Sequence, residues 1–132
     1  MIGLDTNVVI RYLVQDDAVQ ARKANHLMEK ILTQDEPGFI NLITLCEIVW
    51  VLKRNYRLDK PGQVAVVDGL LTSKQLLVEN VAVAWKALRA YESGSAGFSD
   101  AIIAYTNMAH ECEYTVTFDR QASKLDGVRL LK

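Results

Sequence analysis

The chain opens Met1-Ile2-Gly3-Leu4-Asp5-Thr6-Asn7 (MIGLDTN, residues 1–7), an apolar run that stops almost as soon as it starts. Four residues suffice for a buried strand, and a carboxylate at its end loses solvation that something else must replace. Asp5 therefore either caps a helix that follows at once or faces a positive group. The same unit, a short apolar run giving way to helix-period sequence, recurs along the chain and decides the fold class.

Val8, Tyr12 and Leu13 suggest a short first helix, and Asp16-Asp17 precedes a longer one through about Leu32, with Ala24, Leu27, Met28, Ile31 and Leu32 at helical spacing. Pro37-Gly38 ends it, and Phe39-Ile40-Asn41-Leu42 reads as a second strand. A third helix carries Leu45, Ile48, Val49, Leu52 and Tyr56 as one stripe, with Thr44 as its candidate cap and Glu47 off the stripe. Pro61 suits the first turn of a fourth helix, and Gln75 to Val78 is the third strand. A fifth helix from Val81 to Tyr91 is broken by the small-residue stretch Ser93–Gly97. Phe98-Ser99-Asp100 opens a sixth that runs on to Cys112, and Tyr114 to Thr117 is the fourth strand. A short helical turn through Leu125, the Asp126-Gly127 turn and a last strand, Val128 to Leu131, complete the chain. Alternation at this spacing predicts an α/β fold, a three-layer α/β/α sandwich with a mainly parallel central sheet.

The 132 residues, half of them hydrophobic and 23% charged, suit a single folded domain over 1–132. No apolar stretch approaches the ~20 residues that span a bilayer, and no basic segment leads into a long apolar one, so a cytoplasmic protein without membrane contact is expected. Cys46 and Cys112 form no CxxC pair and read as small buried thiols in helices. A net charge of −1 argues against a grip on nucleic acid through overall positive charge, so any such contact must be local.

In open α/β sheets ligands bind beyond the carboxyl ends of the strands. Four acids fall there, each in apolar sequence: Asp5 in IGLD, Glu47 in LCEIVWVL, Asp100 in FSDAIIA and Asp119 in TVTFD. Gathered in one poorly solvated place they would repel by about 4 kcal/mol per pair at ~4 Å, taking an effective dielectric of roughly 20, and would need a cation. An all-oxygen set favours Mg²⁺ or Mn²⁺ over zinc or copper. Taken singly, each acid has a plainer reading. Asp5 and Asp100 suit helix N-termini, Glu47 suits the helix dipole or a pairing with Lys53 or Arg54, and Asp119 suits a turn. The coincidence of four favours the metal. Ser99 either caps the sixth helix or helps hold a ligand, while Thr6, Asn7 and Thr117 are candidates to orient the carboxylates.

The combination of LDTN, an isolated Glu47, FSDAIIA and TVTFDRQASKL, in order along essentially the whole chain, resembles PIN-domain ribonucleases and is most similar to the VapC-type toxins of toxin–antitoxin pairs. That resemblance implies an endoribonuclease whose catalytic and metal-binding acids are Asp5, Glu47, Asp100 and Asp119, supported by Thr6, Asn7 and Thr117. It further implies one or two Mg²⁺ ions with Mn²⁺ as substitute, an RNA substrate, a homodimer and a cognate antitoxin. Glu47 either binds metal or orients the attacking water.

Arg11, Lys53, Arg54 and Arg57, with Lys60 beside them, are candidate RNA contacts, weighed against the ordinary reading of cations on a solvated helix end. Trp50 and Trp85 read as core or interface residues, and His26 and His110 lack partners at ligand spacing. The competing functions are an RNA-processing PIN nuclease without an antitoxin and a catalytically silent binding module on the same scaffold. An aspartyl phosphotransferase is disfavoured, because Asn7 stands where its usual second aspartate would be.

Overall fold

The computed structural model describes residues 1–132 and divides into two compact units, Met1–Glu79 and Asn80–Lys132. In the first unit, β1 (Ile2–Gly3), β2 (Gly38–Ile40) and β3 (Leu76–Val78) form one sheet in the order β1-β2-β3, with every pair parallel. Ile2 stands opposite Gly38, and Gly38, Phe39 and Ile40 stand opposite Leu76, Leu77 and Val78. Parallel neighbours cannot be joined by a tight turn, so each connection is helical. α1 (Thr6–Val14) and α2 (Ala18–His26) join β1 to β2, and α3 (Leu42–Asn55) and α4 (Lys60–Thr72) join β2 to β3. The core is Val9 and Ile10 from α1, Leu45, Ile48 and Leu52 from α3, Val67 and Leu70 from α4, and Ile40 from the central strand, all buried.

Side-chain caps start three of these helices in the usual way. Asp17, Asn41 and Asp59 each accept the N–H three residues on, from Gln20, Thr44 and Gly62, at 2.8–2.9 Å. Asn41 rather than Thr44 is therefore the cap of α3, because the strand ends at Ile40 and the helix begins three residues earlier than the apolar stripe suggests. Glu79 completes that helix start by accepting the Leu42 N–H at 2.9 Å. Beyond α2 the chain widens into a π-helical turn, Leu27–Ile31. There Met28 is buried while Ile31, expected on the apolar face, is 47% exposed.

The second unit holds α5 (Val81–Ser93), α6 (Phe98–Ala109) and a parallel pair, β4 (Thr115–Thr117) with β5 (Val128–Leu130), joined through a 3₁₀ turn at Ala122–Lys124. Tyr91 and Phe98 meet edge to face, 5.8 Å between ring centroids, and fix α5 to α6 across the Ser93–Gly97 break. Gly127 takes φ +71° in the turn before β5, as the Asp126-Gly127 dipeptide predicts. The sixth helix stops at Ala109, short of Cys112, because Glu111 adopts φ +65° and the Cys112 N–H returns to the Asn107 carbonyl. Cys112 is consequently exposed, not the buried thiol expected. Both units are thus α/β with parallel pairing, and no helix is long and apolar enough to cross a membrane.

Gly38 is the tightest point of the first sheet. A Cβ there would come within 2.8 Å of the Cδ1 atoms of both Leu32 and Leu4, two buried side chains that would have to shift. Gly38→Ala is expected to cost about 1–3 kcal/mol and to lower Tm by roughly 4–12 °C. A scanning calorimetry trace checks this, and an unchanged Tm would show that both leucines repack freely.

Candidate active site

Leu4 is buried and the strand that it ends is two residues long, so the backbone turns straight into α1 and Asp5 takes the N-cap position. Its carboxylate does not make the cap bond that Asp17, Asn41 and Asp59 make. Oδ1 accepts only the N–H of the next residue, Thr6, at 2.8 Å, and Oδ2 is left free. The Thr6 hydroxyl points the other way and donates to Glu47 Oε1 at 2.7 Å. One residue thus ties two carboxylates that lie 42 positions apart, and both acids remain exposed with an oxygen unused. Glu47 makes no ion pair with Lys53 or Arg54, which sit too far along α3 to reach it. Asn7 is exposed on the rim of a cavity of about 290 Å³ lined also by Arg11, Gln20, Lys23 and Leu27.

In the second unit Asp100 occupies the third position of α6, with Gly97 as the N-cap residue. Ser99 is exposed inside the first turn and is not the cap, since the helix begins at Phe98, one residue before it. Asp100 Oδ2 lies over Gly97, where a Cβ would come within 3.1 Å of it, and neither carboxylate oxygen holds a hydrogen bond. Asp100 opens onto a cavity of about 150 Å³ that it shares with Ala104, Thr115 and Thr117. Asp119 Oδ1 accepts the N–H groups of Gln121 and Ala122 at 2.8 and 3.0 Å, which starts the 3₁₀ turn and leaves Oδ2 free. Thr117 does not touch that carboxylate. Its hydroxyl accepts the Asp119 N–H at 3.0 Å and so fixes the backbone that carries the acid.

The first unit therefore brings Asp5, Thr6 and Glu47 together, and the second brings Asp100, Thr117 and Asp119 to the carboxyl end of β4 and the start of α6. Within neither unit do three or more histidine, cysteine, aspartate or glutamate side chains gather into a group that could hold a metal. The chemistry of the donors nonetheless suits a hard divalent cation: all are carboxylates, and each keeps at least one oxygen uncommitted.

The candidate RNA contacts differ in their freedom. Arg11 is held by Gln20 at 2.6 Å, by Asp16 at 3.4 Å and by the Tyr56 hydroxyl at 3.5 Å. Tyr56 in turn donates to Asp16 at 2.7 Å, and that bond holds the phenol protonated above its usual range. Arg54 lies over the Trp50 ring at 5.5 Å. Lys53 and Arg57 are exposed. The Asp16–Tyr56–Arg11 group escaped the sequence reading, since nothing local links residues 40 positions apart. Glu79 escaped it too: an acid at a strand's carboxyl end, spent on capping α3.

The chain is an α/β protein whose acids Asp5 and Asp119 stand just beyond the carboxyl ends of short parallel strands. Its family is more definite: the PIN domain model matches residues 2–128, across both units, and the chain belongs to the PIN domain family, whose members are in general nucleases. No curated protein matches the chain.

Burial pushes the half-buried Cys46 thiol up to about 11, which keeps it protonated at neutral pH and removes it as a nucleophile. Alkylation at pH 8 is expected to modify exposed Cys112 first and Cys46 more slowly by roughly a hundredfold. Peptide mass mapping over time checks this, and equal rates would contradict the burial of Cys46.

Proposed function

We propose that the chain is a divalent-metal-dependent endoribonuclease that hydrolyses RNA phosphodiester bonds, acting as the toxin of a toxin–antitoxin pair. The observation that carries the nuclease reading is the Thr6 bridge. In a chain of the PIN domain family, the first acid and Glu47 are held by one residue, each with a carboxylate oxygen to spare. RNA as the substrate, Mg²⁺ with Mn²⁺ as its substitute, the cognate antitoxin, the homodimer and a cytoplasmic location rest on the resemblance to VapC-type toxins.

Asp5 and Glu47 in the first unit, and Asp100 and Asp119 in the second, are the residues whose carboxylates would hold metal. A divalent ion would supply a nucleophilic hydroxide at neutral pH and would offset charge on the phosphate and the leaving oxygen. Thr6 acts through others: its hydroxyl fixes the Glu47 carboxylate and its N–H fixes that of Asp5, so both are oriented before substrate arrives. Thr117 and the N–H groups of Gln121 and Ala122 do the same for the segment that carries Asp119. Glu47, exposed in the second turn of α3, either joins the ligand set or orients the attacking water.

Asp5→Asn and Asp100→Asn are each expected to abolish metal-dependent cleavage of a mixed RNA sample while leaving the circular dichroism spectrum unchanged. Full activity in either variant would overturn the assignment. Chelator is expected to stop the wild-type enzyme, and Mg²⁺ or Mn²⁺ to restore it.

Thr6→Val removes the donor to Glu47 and is expected to lower kcat by about tenfold or more, the size of a hydrogen bond to a charged group. Thr6→Ser, which keeps the hydroxyl, is expected to retain most of the activity. Single-turnover rates on one RNA decide it: equal rates for the valine and serine variants would leave the bridge without a catalytic role.

A further inference from the structure

A cavity of about 530 Å³ in the second unit is lined by Trp85, Lys86 and Arg89 of α5, Tyr105 of α6, and Lys124 and Asp126 at and beyond the end of the 3₁₀ turn. No acid of the candidate active site lines it. Tyr105 follows Asp100 by five residues and is turned from it by about 140° around α6, so this cavity and the one at Asp100 open on different faces of that helix.

The cavity's chemistry is cationic and planar. The Arg89 guanidinium lies 5.0 Å over the Trp85 ring and pairs with Glu92 at 3.4 Å, so a flat cationic stack borders the cavity. Lys86 and Lys124 reach the rim from two separate elements, and both are exposed ammonium groups with no hydrogen bond or ion pair. Asp126 is the single acid of the lining, an acceptor suited to a ribose hydroxyl or an exocyclic amine. Two unpartnered cations around an aromatic wall attract an anion that also has a flat face, and the volume lies in the range of small-ligand sites.

We infer that this cavity binds a nucleotide of the RNA strand at a distance from the scissile phosphate, with Lys86 and Lys124 on backbone phosphates and the Trp85–Arg89–Tyr105 wall against a base. The inference rests on the reading of the chain as an RNA nuclease, and it adds a contact surface to the acidic site. The flat stack favours a nucleotide over an acidic segment of a protein, which would meet the lysines but leave the aromatic wall unused.

The test uses the full chain and a single-stranded RNA of about twenty nucleotides, with binding followed by anisotropy in chelator over a salt series. Lys86→Glu combined with Lys124→Glu is expected to reduce the slope of log affinity against log salt by about 0.7 for each lysine. In cleavage with metal, KM for the long RNA is expected to rise by about tenfold with kcat within twofold, and an oligonucleotide too short to reach the cavity to be cut as before. Lys86→Gln with Lys124→Gln repeats the measurement without reversed charge. In a Trp50→Phe background, where Trp85 is the only tryptophan, RNA is expected to quench the fluorescence. Binding and cleavage indistinguishable from wild type in both lysine pairs would overturn the inference, leave the nuclease reading intact and turn the cavity over to an acidic protein partner. A wild-type chain that neither binds nor cuts RNA would overturn the nuclease reading itself.

Discussion

Parallel strands of two or three residues cannot hold a sheet together by their ladders alone. Each pair shares only a few hydrogen bonds, and parallel pairing forces a long return path between neighbours. In the first unit that path is always helical, and the buried faces of α1, α3 and α4 closing over Ile40 supply the cohesion that the strands lack. Asp5 owes its place to this economy of strand. With Leu4 anchored and α1 beginning at Thr6, the one residue between them has to face the edge of the sheet where all three strands end.

Electrostatics separates that residue from its chemical equals. Asp17 and Asp59 spend an oxygen on the third N–H of their helices, and Glu79 spends one on the start of α3. These are acids answering helix dipoles, and each is satisfied locally. Asp5 and Glu47 instead share Thr6 and stay exposed, and Asp100 sits in a first turn without a hydrogen bond. Exposure lets water screen the like charges, so the fold need not carry a standing repulsion.

Much of this was legible because it is local. The helix stripes, Pro61 at a helix start, the Asp126-Gly127 turn and the alternation of strand with helix are written in neighbouring residues, and the structure follows them. The differences fall where a shift of two or three residues at a boundary changes a role: Asn41 for Thr44, Gly97 for Ser99, and Cys112 set outside α6 by the left-handed Glu111. The four acids stood out by their apolar surroundings, but what holds them did not. The Thr6–Glu47 and Asp16–Tyr56 bonds join residues some forty positions apart, and no periodicity encodes such a pairing. The aromatic and cationic lining around Trp85 was likewise hidden, since an amphipathic stripe gives no sign of a hollow beside it.

The π-helical turn at Leu27–Ile31 has a bearing on tolerance to change in chain length. Its closing bond runs from the Leu32 N–H to the Leu27 carbonyl, five residues back, so the turn stores one residue of slack between α2 and β2. A strand that slips by one residue turns every side chain to the wrong face. Slack upstream of Gly38 insulates the Ile2–Gly38 register from the helices before it, much as an expansion joint takes up movement that a rigid span would pass on.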